Sequence, residues 1–188
     1  MNHNRQQNLQ DLLVFALLVA IGVAGRWGQP QWEVTPTAAA AVFAGVYFSR
    51  IAIAVLVPIA ILVISDLLLP AYNSVPVLIA TYAVMTAPVW LGRWMRGESR
   101  TAAIAWKSAL CGLVPATLFF IVTNFAVWAF QSDYEKSLAG LAECYLAAVP
   151  FYRWMLAGDV FYMAVLGSCW LIANATFGKR AVAEQRID

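Results

Sequence analysis

Residues 51–70 read IAIAVLVPIAILVISDLLLP, an apolar run with a single charged side chain, Asp66. A run of about 20 apolar residues is long enough to cross the ~30 Å hydrocarbon core of a bilayer as a helix. An acid at membrane depth is costly and usually faces the protein interior. This stretch therefore predicts a membrane-spanning helix that carries an acid near one end.

Five further apolar runs lie on either side of this stretch, separated by polar turns and loops. Together they predict an all-α integral membrane protein of six transmembrane helices, formed by a single domain over residues 1–188. The segment 131–149 is mixed in character and is expected to hold a short amphipathic helix. The predicted helices cover residues 9–25, 36–48, 51–69, 77–95, 102–130 and 150–177.

The composition supports the membrane class. The chain has 188 residues, of which 62% are hydrophobic and 12% are charged. A soluble domain carries about 25% charged residues, so this chain has too few to cover a water-facing surface. The net charge of +2 is too small to indicate nucleic-acid binding.

The distribution of lysine and arginine predicts the orientation of the helices. If the amino terminus faces the cytoplasm, nine cations fall on the inner side and three on the outer side. Such a bias places both termini in the cytoplasm. The inner set is Arg5, Arg50, Arg93, Arg96, Arg100, Lys107, Lys179, Arg180 and Arg186, and the outer set is Arg26, Lys136 and Arg153.

The sequence carries no recognisable catalytic or metal-binding motif. Its three cysteines are far apart, and His3 is the only histidine. We therefore expect no metal site and no intrinsic cofactor. Because GxSxG, HExxH, Walker A and GxGxxG patterns are also absent, we predict that the chain is not an enzyme.

Asp66 is the first candidate for a functional site. It could pair with an arginine as a structural acid, or it could contact a ligand. Two arginines are placed to meet it at the predicted outer side: Arg26 at the end of the first helix and Arg153 at the start of the sixth. Either guanidinium could also bind oxygen atoms of a ligand or reach the lipid head groups.

Two other polar residues lie inside apolar helices, Asn124 in the fifth and Asp159 in the sixth. We expect them to bond to each other across a helix interface. The first helix carries Ala16, Ala20 and Ala24, which share one helical face because they are four residues apart. Small residues at this spacing allow close approach of another helix, either within the monomer or from a partner.

With its size, six-helix layout and small-residue face, the chain resembles the S components of energy-coupling factor vitamin transporters. The closest resemblance is to the small cobalamin-specific members, through residues 64–66, 123–128 and 144–151. Some of those members hold a cysteine near the outer start of the fourth helix. The matching stretch here, residues 78–82, has Ala80 at its centre and no cysteine, so thiolate ligation of cobalt is not expected.

The resemblance implies uptake of a vitamin from the outer side of a bacterial cytoplasmic membrane, and cobalamin is the vitamin we expect. It also implies that Ala16, Ala20 and Ala24 meet a coupling subunit that works with ATPases. Alternatives from other classes are a membrane enzyme, a quinone-site subunit and a structural subunit of a membrane complex. The expected ligand-binding residues are Trp27, Asp66, Tyr72, Asn73, Ala80, Tyr82, Trp128, Tyr145 and Arg153.

Overall fold

The computed structural model describes residues 2–29 and 33–184, with side chains over residues 5–29 and 33–169. The described residues form six α-helices, which confirms the all-α class and the number of helices. One of the cations in the predicted inner set, Arg186, lies outside the described residues. The helices are α1 (Asn2–Trp27), α2 (Thr37–Tyr47), α3 (Ile51–Ser65), α4 (Val75–Met95), α5 (Thr101–Phe130) and α6 (Leu138–Glu184).

The short helix α2 lies at the centre of the bundle and contacts each of the other five helices. Nine of its eleven residues are buried, and most of them are alanine. At ~1.5 Å per residue it is about 16 Å long, roughly half the ~30 Å thickness of a bilayer core. Its amino end at Thr37 therefore lies well inside the bundle, and a space is left above it.

Two glycines allow α2 and α4 to pack backbone against backbone. A Cβ atom added at Gly45 would overlap the carbonyl oxygen of Val89, and one added at Gly92 would overlap that of Val42. Small residues at a membrane helix crossing allow this close approach, and packing of this kind drives helix association in lipid. The crossing fixes the position of the central helix.

The sixth helix differs from the prediction. The sequence predicts a short amphipathic helix within residues 131–149, but residues 138–149 are continuous with the rest of α6, and Pro150 lies inside the helix. Proline is tolerated within membrane helices because neighbouring groups can satisfy the freed backbone. Three other helices also contain an interior proline: Pro58 in α3, Pro88 in α4 and Pro115 in α5.

Three of the helices are long and apolar enough to cross a membrane. Within the described residues these are Arg5–Trp27, Val75–Met95 and Thr101–Phe130, and the helices α2 and α3 are apolar but shorter. The chain therefore has the composition and helix lengths of a membrane protein.

The two ends of the bundle differ in chemistry. One end, here called the basic end, contains the turns at residues 48–50 and 96–100. There the guanidinium groups of Arg93 and Arg96 each donate to the carbonyl of Phe48, at 3.0 Å in both cases, and Lys107 pairs with Glu98 at 3.0 Å. The opposite end, here called the site end, contains the connections at residues 28–36, 66–74 and 131–137.

The two faces of α1 have different surroundings. The face that packs on the bundle holds Leu18, Val19, Gly22 and Val23, all of which are buried. The alanines at positions 16, 20 and 24 are exposed. The predicted small-residue face therefore does not pack within the monomer.

Candidate functional site

The site end of the bundle is built around Asp66, the residue that follows α3. The guanidinium of Arg26 donates to the Asp66 carboxylate at 2.9 Å, and the Tyr82 hydroxyl donates to its other oxygen at 2.8 Å. The Arg26 and Asp66 side chains are only 15% and 19% exposed, so water screens their interaction little. Of the two arginines that the sequence offered, Arg26 is the partner.

A second contact fixes the ends of α1 and α3 to each other. The indole nitrogen of Trp27 donates to the carbonyl oxygen of Ser65 at 3.0 Å. That carbonyl belongs to the last turn of α3 and also accepts a hydrogen bond from the Leu68 backbone N–H at 3.1 Å. Trp27 thus helps to hold Arg26 beside Asp66, although its ring remains 47% exposed.

A cavity of about 220 Å³ opens beside the ion pair. Its floor is the amino end of α2, and its walls come from α1, α4, α5 and the connections at residues 28–36 and 66–74. The free backbone N–H groups at a helix start carry partial positive charge, so the floor favours acceptor atoms. The lining comprises Arg26, Gln29, Glu33, Thr35, Thr37, Asp66, Leu69, Pro70, Tyr72, Thr81, Met85 and Phe119.

Glu33 has an uncommon backbone conformation in this wall. Its φ of 71° lies in the left-handed region, where a residue other than glycine is strained by about 1–3 kcal/mol. The Gln29 side chain accepts a hydrogen bond from the Glu33 backbone N–H at 2.9 Å and helps to hold this conformation. Burial raises the pKa of the Glu33 carboxyl above its ordinary value, and the charge of Arg26 opposes part of that shift.

Tyr72 brings a phenol to the same cavity from the loop after α3. Burial raises the pKa of Tyr72, and the nearby Asp66 carboxylate raises it further. The hydroxyl therefore remains protonated at neutral pH and is available as a donor.

A second cavity of about 190 Å³ shares Glu33 and Phe119 with the first. Aromatic rings dominate it, and the Tyr152 hydroxyl is fixed by a hydrogen bond of 3.0 Å to Thr117. One polar cavity and one aromatic cavity therefore meet at two side chains. The remaining lining residues of the second cavity are Phe120, Thr123, Asn124, Ala148, Phe151 and Met155.

The structure brings together only part of the predicted ligand-binding set. Asp66 and Tyr72 line the first cavity, Tyr82 bonds to Asp66, and Trp27 supports the pair from outside. Tyr145 of α6 donates to the backbone carbonyl of Ile121 in α5 at 2.7 Å, and Trp128 donates to that of Glu135 in the α5–α6 connection at 2.9 Å. They line neither cavity.

Three further predicted residues also lie outside both cavities. Arg153 and Asn73 are exposed, and Ala80 is half-buried beside Thr81, which does line the first cavity. The ion pairs formed among the described side chains do not include Arg153.

The expected contact between Asn124 and Asp159 is absent among the described hydrogen bonds. The Asn124 amide donates to the Phe120 carbonyl of its own helix at 2.7 Å, which is a local bond that satisfies a polar side chain within an apolar helix. Asp159 lies separately in the interior and is only 4% exposed.

Sequence reasoning missed Glu33, Thr37 and Phe119 as cavity residues. Glu33 stands in a loop where an acid is unremarkable, and Phe119 is one of many apolar residues in α5. The sequence feature that could have indicated the cavity is the short length of the 36–48 run, since a half-length helix leaves an open space above its end.

The comparisons with known proteins place the chain in a family. Residues 6–182 match a protein family described as a family of unknown function (DUF6580). This chain belongs to that family. The match includes both cavities and the Arg26–Asp66 pair, so the candidate site lies within the part of the chain that defines the family. The comparisons with curated proteins and with solved structures gave no match.

Proposed function

We propose that this chain is a membrane substrate-binding protein for vitamin uptake, with its binding site in the two adjoining cavities at the site end. The observation that carries the proposal is the first cavity, where an ion pair, two tyrosines and a helix amino end converge in an otherwise apolar bundle. Binding sites for small molecules are concave, with few polar groups that fix the orientation of the ligand. The proposed role is binding and transport without catalysis.

The identity of the vitamin is proposed from two considerations. The resemblance to cobalamin-specific S components favours cobalamin as the transported ligand. The cavities of about 220 and 190 Å³ are each smaller than the ~300–1,000 Å³ typical of sites for drug-sized ligands. A compact vitamin therefore needs the two cavities to join at Glu33 and Phe119, and a corrinoid needs the loops of the site end to part further.

The proposed setting is a bacterial cytoplasmic membrane that the chain crosses six times, with both termini inside. In this orientation the site end faces outward and the basic end faces the cytoplasm. The exposure of Ala16, Ala20 and Ala24 supports a partner helix on this face, and we propose an energy-coupling subunit with ATPases as that partner.

The test is direct binding to the purified full-length protein. Its absorption spectrum would first reveal a retained corrinoid or flavin. Equilibrium dialysis with cobalamin, riboflavin and thiamine would then measure affinity for three vitamins of different size. Saturable binding of one of them supports the proposal, whereas a colourless protein that binds none of the three contradicts it.

A further inference from the structure

Asp159 is a buried acid that the candidate site does not use. Its side chain lies on the inward face of α6 and is only 4% exposed. The residue one turn before it, Met155, packs with Leu62, Met85 and Ala116. The residue one turn after it, Met163, packs with Val42 and Cys111 among others. Asp159 thus lies between two apolar clusters.

The position is near mid-height in the bundle. A Cβ atom added at Gly112 of α5 would lie 3.5 Å from the Asp159 carbonyl oxygen, and Gly112 is eleven residues from the start of a 30-residue helix. In the three ion pairs among the described side chains, the acidic partner is either Asp66 or Glu98. No described cation therefore neutralises Asp159.

An unpaired carboxylate in such surroundings is very unfavourable, because transfer of an ion into a low-dielectric interior without a partner costs many kcal/mol. The neutral acid avoids this cost. Ionisable residues inside membrane bundles commonly mark pathways for protons or other ions.

The surroundings of Asp159 contain few other titratable groups. The flanking clusters contribute Cys111 from α5, Tyr82 from α4, and Tyr152 and Tyr162 from α6. Glu33 is the acid in the segment that α6 touches next to Asp159, since a Cβ atom added at Gly158 would lie 3.1 Å from the Cα of Val34. Glu33 also lines both cavities.

We propose that Asp159 is a proton-binding site that exchanges its proton with the cavities through Glu33. In the exchange, the Asp159 carboxylic acid releases its proton to the Glu33 carboxylate, directly or through water. Asp159 becomes the carboxylate and Glu33 becomes the neutral acid. Two neighbouring acids favour states in which only one is ionised. Burial raises the pKa of Glu33 above its ordinary value, which makes its carboxylate a better proton acceptor.

The consequence for transport is that a ligand at Glu33 would change the protonation of Asp159, so a proton gradient could drive the cycle. That consequence rests on the proposed function. The proton site itself does not, since it can be measured in the absence of any ligand.

Infrared spectroscopy of the purified full-length protein tests the proposal. A protonated carboxylic acid has a carbonyl stretch that a carboxylate lacks. The difference spectrum between the wild type and Asp159→Asn should show this band at neutral pH, and the band should vanish as the pH is raised. The matched control is Asp133→Asn, which alters an exposed acid and should give no such band at neutral pH.

Glu33→Gln tests the link to the cavities. Removal of the neighbouring negative charge should shift the midpoint of the Asp159 band to lower pH. An unchanged midpoint overturns the link, and absence of the Asp159 band at neutral pH overturns the site. If Asp159→Asn does not fold, Asp159→Leu provides the reference spectrum. Misfolding of both uncharged variants would itself contradict a neutral Asp159 in the folded protein.

Discussion

At the scale of single residues, the Asp66 carboxylate accepts hydrogen bonds from two different helices, α1 and α4. Asp66 stood out because it is the only charge in an apolar run, and the charge pattern offered two arginines for it. The structure selects Arg26 and adds Tyr82, sixteen residues away in sequence. The contact between Tyr82 and Asp66 could not be predicted from the sequence, because it depends on how α3 and α4 pack against each other.

Glu98 at the basic end provides a prediction about pH. A hydrogen bond from Lys107, with further ones from Arg100, lowers the pKa of Glu98 to about 2. A carboxyl whose folded pKa is lowered stabilises the fold above its ordinary value of 4.5, and this contribution is lost as the pH falls towards about 2. Glu98→Gln should lower the midpoint of thermal unfolding at neutral pH.

The thermal unfolding midpoints of the wild type and of Glu98→Gln should approach each other at acidic pH. The difference in midpoint between wild type and Glu98→Gln should shrink as the pH falls from about 4.5 to about 2. Asp133→Asn, at an exposed position, serves as the control and should leave the midpoint unchanged at neutral pH. A difference that stays constant over this range would show that Glu98 acts through packing and not through its charge.

At the scale of helices, apolar runs predicted all six elements, but their ends and faces were harder to predict. The sequence predicts that the sixth helix begins at Pro150, yet Pro150 lies inside a continuous α6, because proline in a membrane helix does not force a break. Trp128 and Tyr145 are predicted at the ligand, but Tyr145 bonds α6 to α5 and Trp128 bonds to the connection between these helices. Aromatic residue type alone does not distinguish a cavity wall from a helix interface.

The crossing of α2 and α4 should be sensitive to a single methyl group. Gly92→Ala would place a Cβ atom on the Val42 carbonyl oxygen, and backbone cannot move aside as a flexible side chain can. Overpacking of this kind costs about 1–3 kcal/mol, measurable as a lower free energy of unfolding in detergent. Ala83→Val, which adds bulk at an exposed position of the same helix, should cost much less, and equal costs would contradict the close crossing.

The exposed alanine face of α1 gives a second prediction about a helix. Because Ala20 is exposed, Ala20→Trp should leave the purified protein folded and its vitamin binding intact. If this face meets a coupling subunit, the bulky ring should block close helix approach and stop uptake in cells. Val19→Trp, which changes a buried neighbour, should instead destabilise the protein. Normal uptake with Ala20→Trp would rule out a partner at this face.

At the scale of the whole molecule, the main feature is a half-length central helix enclosed by five others. The sequence showed that the 36–48 run was short, but it could not show that this helix lies at the centre, since burial on all sides depends on long-range packing. Membrane proteins that transport solutes often place their sites at helix ends inside the bundle. The cavity above α2 has this arrangement.

The orientation of the bundle in the membrane is open to a simple test. Nine cations against three predict that both termini face the cytoplasm. In a six-span topology, reporter fusions at Arg100 and at Lys136 should report opposite sides, because α5 separates them. Fusions on the same side would exclude that topology.

The central claim is that the cavity beside the Arg26–Asp66 pair binds a solute. The most direct measurement is equilibrium binding of cobalamin, riboflavin and thiamine to purified wild type, Asp66→Asn and Arg153→Ala, each first shown to be folded. We predict that one vitamin binds the wild type and that Asp66→Asn weakens it at least about tenfold, or ~1.4 kcal/mol, because Asp66 lines the cavity. Arg153→Ala should bind normally, since Arg153 is exposed. Unchanged binding by Asp66→Asn, or weakened binding by Arg153→Ala alone, would contradict the placement of the site.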